Sequence, residues 1–181
     1  CMGISVGEDW IKVPKLPQIK AKIHRDCPGI LKSITVSRTA TGKYFASLLF
    51  ETGERTPKRL SVIESDKVLG IDMGLTDACI TSEGKKIANP RFLMRAQHNL
   101  RRKQKLLSRK EKGSASRARA RRQVARCYER VVHARGDFQH KVSRRLIDES
   151  QAVIVETLKV KNMLRNRRLS KHIADISWHS L

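Results

Sequence analysis

Val68-Leu69-Gly70-Ile71-Asp72-Met73-Gly74 is a short, mostly apolar run that holds one acid between two glycines. Its length and turn-forming flanks read as a β-strand with a carboxylate buried in its middle. Ala78 to Ser82 reads as the hairpin partner of that strand, Glu83-Gly84 as the next turn and Lys86 to Ala88 as a third strand. Asn89-Pro90 is then expected to start a helix, with Asn as cap and Pro at the first helical position. Much further on, Ala152-Val153-Ile154-Val155-Glu156 repeats the theme: an apolar strand that delivers one acid at its end.

Helix dominates the interval. Leu93, Ala96, Leu100 and Leu107 recur at helical spacing. After a loop at Gly113-Ser114-Ala115-Ser116, the series Val124, Tyr128, Val131, Phe138, Val142, Leu146 steps by three, four or seven. This predicts two long helices packed as an antiparallel hairpin. From Asn162 to Leu181, Leu169, Ile173 and Ile176 fall on one side and Arg165, Arg167, Arg168 and Lys171 on another, which predicts an amphipathic basic helix.

Upstream the period changes to two. Ile19, Ala21 and Ile23 alternate with Lys20, Lys22 and His24, and Ile34 and Val36 with Thr35 and Ser37, as in half-buried antiparallel strands. Thr41-Gly42 marks the turn into the β-rich run Tyr44 to Phe50, giving a small sheet or barrel, and Thr52 to Asp66 reads as a connector. The 181 residues, 39% of them apolar, are expected to form two compact lobes. One is a β-rich lobe with its connector over 1–66; the other, over 67–181, carries a helical insertion at 90–150.

The chain has 39 Lys and Arg against 17 Asp and Glu, a formal charge of +22, which calls for a polyanionic partner. Between Arg91 and Arg145, 19 basic residues face only Glu111, Glu129 and Asp137, so this segment holds a net +16 of the total. Such a run is often a solvated face; here the scarcity of acids favours phosphate binding, with release of counterions and without base readout. Candidate contacts on the first helix are Arg101, Arg102, Lys103, Lys105, Arg109 and Lys110. On the second they are Arg117, Arg119, Arg121, Arg122 and Arg126.

There is no signal peptide and no run of 18 apolar residues, so no membrane partner is expected and a cytoplasmic, nucleoid-associated location is. Cys1, Cys27, Cys79 and Cys127 are scattered without a Cys-x-x-Cys pair, which argues against zinc and for ordinary thiols. The six histidines lack metal spacing and read as surface or structural, and Trp10 and Trp178 read as core. Tyr44 and Tyr128 fall in strand and helix patterns, so no nucleophilic Tyr with a His pair is in evidence.

An unpaired carboxylate inside an apolar strand is costly, so Asp72 and Glu156 call for a partner. Two strands presenting carboxylates into one site supply the hard oxygen ligands of a magnesium-dependent phosphodiesterase. The local alternative is that Asp72 caps a turn or accepts the amides of Gly74 and Leu75, and that Glu156 marks a strand end or pairs with a lysine. The order strand-hairpin, long helical insertion, strand is also that of an RNase H-like sheet.

Gly70-Ile71-Asp72-Met73-Gly74-Leu75-Thr76-Asp77 is similar to the first RuvC-like motif of the TnpB family, the OrfB-type transposases of insertion sequences. Asn89-Pro90-Arg91-Phe92-Leu93, Leu107 to Lys110, Asp137-Phe138-Gln139-His140-Lys141 and Val153-Ile154-Val155-Glu156-Thr157-Leu158 resemble the family's later blocks in its order. Ile11 to Phe50 resembles the wedge domain, of oligonucleotide-binding type, that precedes its nuclease. The resemblance implies an α/β fold: a β-rich N-terminal lobe, then an incomplete RNase H-like (RuvC) domain with a long basic helical hairpin inserted.

It further implies an RNA-guided DNA endonuclease with Asp72 and Glu156 as its first and second metal-binding acids, Mg2+ as cofactor, and target DNA and a guide RNA from the transposon end as partners. Thr157 stands where an acid often follows the Glu. The family's zinc-ribbon cysteines and third acid have no counterpart before Leu181; Asp175 lies on a predicted helix in a block not credited with catalysis. With Cys1 in place of an initiator Met and no capping residue after Trp178-His179-Ser180-Leu181, both ends are expected to be cut and the chain alone to be inactive. The alternative is a non-catalytic DNA/RNA-binding remnant of a transposable element. A ribosome-like structural protein would not need Asp72 and Glu156 in apolar strands.

Overall fold

The computed structural model describes residues 3–26, 28–56 and 61–178. The chain divides into two compact units, Cys1–Arg59 and Leu60–Leu181.

The first unit contains two antiparallel sheets. Strands β1 (Ser5–Val6), β2 (Trp10–Lys12) and β3 (Ile19–Lys20) form one, with Ile11 buried at its centre. The expected strand through Ala21 and Ile23 ends at Lys20. Strands β4 (Ile30–Arg38) and β5 (Tyr44–Glu51) form a long two-stranded ribbon, paired from Ile30↔Glu51 to Arg38↔Tyr44. A register shift between Leu31 and Ser33 bends it. The predicted turn closes it: Gly42 adopts φ +89 and its N–H donates to Thr39 O.

The second unit is a mixed sheet covered by helices. Its strands β6 (Val68–Asp72), β7 (Asp77–Thr81), β8 (Lys86–Ala88) and β9 (Ala152–Val155) lie in the order β8-β7-β6-β9. Pairs β6–β7 and β7–β8 are antiparallel and β6–β9 is parallel. A parallel neighbour needs a crossover, and helices α1 (Phe92–Ser108) and α2 (Ala115–Asp148) supply it. They form the predicted helical hairpin, with the Asn99 amide donating to Cys127 Sγ (3.6 Å) and Gln104 to the Tyr128 hydroxyl (3.2 Å).

Strand periodicity turns Leu69, Ile71 and Cys79 onto the covered face, where Val142 and Leu146 of α2 bury them. A second cluster joins Ala78 to Ile173, Ile176 and Trp178. It is supplied by α3 (Val160–Met163) and α4 (Ser170–Ile176). The single amphipathic helix expected from Asn162 is broken into these two short pieces: α3 ends at Met163, and in the turn between them Asn166 Oδ1 accepts from Arg168 N at 3.0 Å.

The start of α1 also differs from expectation. Asn89 is not the cap: its Oδ1 accepts from Arg91 N at 3.0 Å in a local turn, Arg91 adopts φ 52, and the helix begins at Phe92. The cap comes from far along the chain. Asp175 Oδ1 accepts from Leu93 N (2.8 Å) and Oδ2 from Met94 N (3.0 Å), while Arg135 Nη2 lies 3.4 Å from Oδ1.

Candidate functional site

The parallel register runs Val68↔Ala152, Leu69↔Val153, Gly70↔Ile154, Ile71↔Val155. Asp72 and Glu156 are the next residue on each chain, so both arrive at the carboxyl ends of neighbouring strands about 4.8 Å apart. In open α/β sheets the carboxyl ends of the strands are where ligands bind.

One expectation is corrected here. Asp72 is the last residue of β6 and is exposed, not buried mid-strand; Glu156 lies one residue beyond β9 and is also exposed. The apolar run misled because only one face of the sheet is covered. Leu69 and Ile71 take that face and the acid falls on the other side at the strand's end. No large desolvation penalty therefore forces a partner on either acid. Among the described residues, neither carboxylate forms an ion pair or hydrogen bond, so turn capping and lysine pairing are not realised, while Glu156 does stand at a strand end. Among the described residues, no group of three His, Cys, Asp or Glu gathers to hold a metal ion.

The loop after Asp72 is fixed by its neighbours. A side chain at Gly74 would bring a Cβ to 2.9 Å from Asp77 O, and Asn89 Nδ2 donates to Leu75 O at 2.9 Å. Beside the other acid is an open apolar cleft of about 480 Å³, lined by Ile71, Val153, Val155, Leu158 and Trp178 among others, with Glu156 its single acid. Asp175 is not near this role: it is 3% exposed and committed to the α1 cap and Arg135. This structural duty went unseen in the sequence because a cap from 82 residues away leaves no local signature.

The basic candidates separate by environment. Arg101, Arg102, Lys105, Arg109 and Lys110 are exposed at α1 and its end, while Lys103 is half-buried. On α2, Arg119, Arg122 and Arg126 are exposed and share one face with Arg130, spanning about 16 Å; Arg121 is exposed on another face. Arg117 is different. Its guanidinium donates to Leu107 O (3.1 Å) and Lys110 O (2.8 Å), closing the last turn of α1, while its own N–H is capped by Ser114 Oγ. Ion pairs Lys141–Asp137, Arg144–Asp148 and Arg145–Glu149 lie toward the sheet end of α2. There the hydrogen bond from Arg145 holds the Glu149 carboxyl below its ordinary range, and the bond to Glu83 pushes Lys85 up.

Of the cysteines, Cys79 and Cys127 are buried and free, and Cys1 and Cys27 lie outside the described residues. Trp178 is in the core as expected, and Trp10 is half-buried against Gly7. Among the described residues, no helix is long and apolar enough to cross a membrane.

Residues 51–167, which include both acids and the whole helical hairpin, match the model of the OrfB_IS605 family, described as "Probable transposase". A "Putative RNA-guided DNA endonuclease" of Streptomyces pristinaespiralis is 42% identical over 150 residues, covering 82% of this chain and 36% of that protein. The "Putative RNA-guided DNA endonuclease InsQ" of Escherichia coli K12 is 30% identical over 196 residues, covering 99% of this chain and 48% of its own length. The chain thus spans between about a third and a half of the curated relatives it matches. With the strand–acid motifs, the helical insertion and the family match all in one order, the chain belongs to the OrfB_IS605 family of transposases, the TnpB family.

Proposed function

We propose that this chain is part of an RNA-guided DNA endonuclease encoded by a transposable element, and that Asp72 and Glu156 contribute to its metal-binding site. The observation that carries the reading is the parallel register that brings the two acids to adjacent strand ends with their oxygens uncommitted. The names of two relatives over most of this chain agree with it.

Two neighbouring carboxylates are hard donors suited to Mg2+, an ion commonly held by one or two carboxylates with water and substrate phosphate in its other positions. When bound, such an ion would supply charge that favours the hydroxide form of an attacking water and steadies the leaving oxygen of a phosphodiester. Asp72 and Glu156 would hold and orient it. The exposed ridge of α2 and the outer face of α1 would neutralise the phosphates of a guide RNA or its duplex with target DNA. In this reading the sheet unit is an RNase H-like (RuvC) domain in part, the strand order β8-β7-β6-β9 with its helical crossover being consistent with that. The first unit is the wedge-like, oligonucleotide-binding lobe, and the protein works in the cytoplasm at the nucleoid.

The test is Mg2+-dependent cleavage of plasmid DNA by the longest protein the gene encodes, with RNA from the element's end. Cleavage lost in both Asp72→Ala and Glu156→Ala supports the assignment. No cleavage by the unaltered protein, together with salt-sensitive RNA binding, replaces it with a non-catalytic nucleic-acid-binding remnant.

A further inference from the structure

The β4–β5 ribbon carries an aromatic ring on each of its faces at its free end. Tyr44 and Phe45 are consecutive strand residues, so they project to opposite sides, and they are 68% and 52% exposed. Such rings are normally hidden, and a two-stranded ribbon standing alone is of marginal stability.

Here hydrogen bonds close the turn at that end. Thr39 N donates to Lys43 O (2.8 Å), Lys43 N to Thr39 Oγ1 (3.1 Å), and the Thr39 and Thr41 hydroxyls are 2.8 Å apart. Across the last ladder pair, the Arg38 guanidinium sits 5.5 Å from the centre of the Tyr44 ring, covering one of its faces with a planar cation. An exposed ring with a cation over one face suits an electron-rich, anion-linked partner.

We infer that the end of this ribbon is a stacking site for unpaired nucleotides, with bases lying on Tyr44 and on Phe45 and Arg38 facing the sugar-phosphate chain. Base stacking on exposed aromatics is tolerant of sequence and works wherever bases are free of a duplex. The inference rests on the reading of the first unit as an oligonucleotide-binding lobe; it is separate from the phosphate-binding role given to α1 and α2 and does not depend on cleavage.

The test uses the whole chain and two labelled oligomers of equal length, one of thymidine nucleotides and one of abasic sites, titrated by fluorescence anisotropy at several salt concentrations. The double substitution Tyr44→Ala, Phe45→Ala is expected to weaken binding of the thymidine oligomer about tenfold or more. The abasic oligomer and the dependence on salt should not change, because stacking releases no counterions. Phe45→Trp should retain the wild-type affinity, and its added indole emission should be quenched by the thymidine oligomer and not by the abasic one. This second readout decides the matter if the double variant unfolds. Equal loss on both oligomers, no loss on either, absence of quenching, or concentration-dependent self-association that the alanines abolish would each overturn the inference. Retained binding of the abasic oligomer in those cases would leave the role of the helices standing.

Discussion

The Asp175 carboxylate accepts the backbone N–H of Leu93 at 2.8 Å, so a residue of α4 serves as the N-terminal cap of a helix that starts at Phe92. The same group takes Met94 N and faces the half-buried Arg135, whose Nε is buried without a partner. One carboxylate therefore ties α4, α1 and α2 together.

Asp175→Ala should accordingly destabilise the second unit by about 2–4 kcal/mol, through a lost cap and an uncompensated buried cation. Urea unfolding measures this. Asp175→Asn should recover part of the loss, since an amide oxygen still accepts one N–H. A stability change below about 0.5 kcal/mol for the alanine variant would show the cap to be energetically idle.

The arginines of the hairpin should split into two behaviours. Arg119→Ala, Arg122→Ala and Arg126→Ala should leave the melting temperature nearly unchanged, weaken RNA binding, and each lower the slope of log K against log salt by about 1. Arg117→Ala should instead cost about 1–2 kcal/mol of stability, because two carbonyls at the end of α1 lose their donor. If Arg117→Ala melts like the others, the turn does not need it.

Asp72→Asn and Glu156→Gln remove exposed carboxylates that no described residue pairs with, so folding stability should stay within about 0.5 kcal/mol of the unaltered chain. Divalent-ion binding, followed by Mn2+ paramagnetic resonance, should fall with either. A large loss of stability would point to a structural duty for these acids.

Cys79 is 1% exposed, and burial pushes its thiol up from its ordinary value. A raised folded value gives stability that is present below the ordinary thiol range and is lost as pH rises through it. Unfolding by urea should therefore become easier above about pH 9, and Cys79→Ala should flatten that dependence while lowering stability overall. A thiol reagent should reach Cys79 only after urea is added.

Gly29 adopts φ +110, and a Cβ there would lie 2.3 Å from Glu51 O. Gly29→Ala should disrupt the base of the β4–β5 ribbon and lower the melting temperature of the first unit, because the obstacle is backbone and cannot move aside. An unchanged melt would mean that the ribbon tolerates a different register there.

What the sequence determined by itself is local. The alternation and glycine turns placed β4 to β8, the leucine and valine spacing placed α1 and α2, and the scarcity of acids between Arg91 and Arg145 located the charge. The acids at 72 and 156 stood out as single charges in apolar runs. Tertiary structure decided the rest, because each remaining question involves groups far apart in the chain. A strand's pattern does not tell which face a helix will cover, so Asp72 was expected in the interior and lies exposed at a strand end. Asn89 offered the local signal for a cap, yet Asp175 supplies it, since a hydrogen bond depends on distance in space and not on spacing along the chain. The adjacency of Asp72 and Glu156 likewise exists only because β9 pairs in parallel with β6, a contact between segments far apart in the chain.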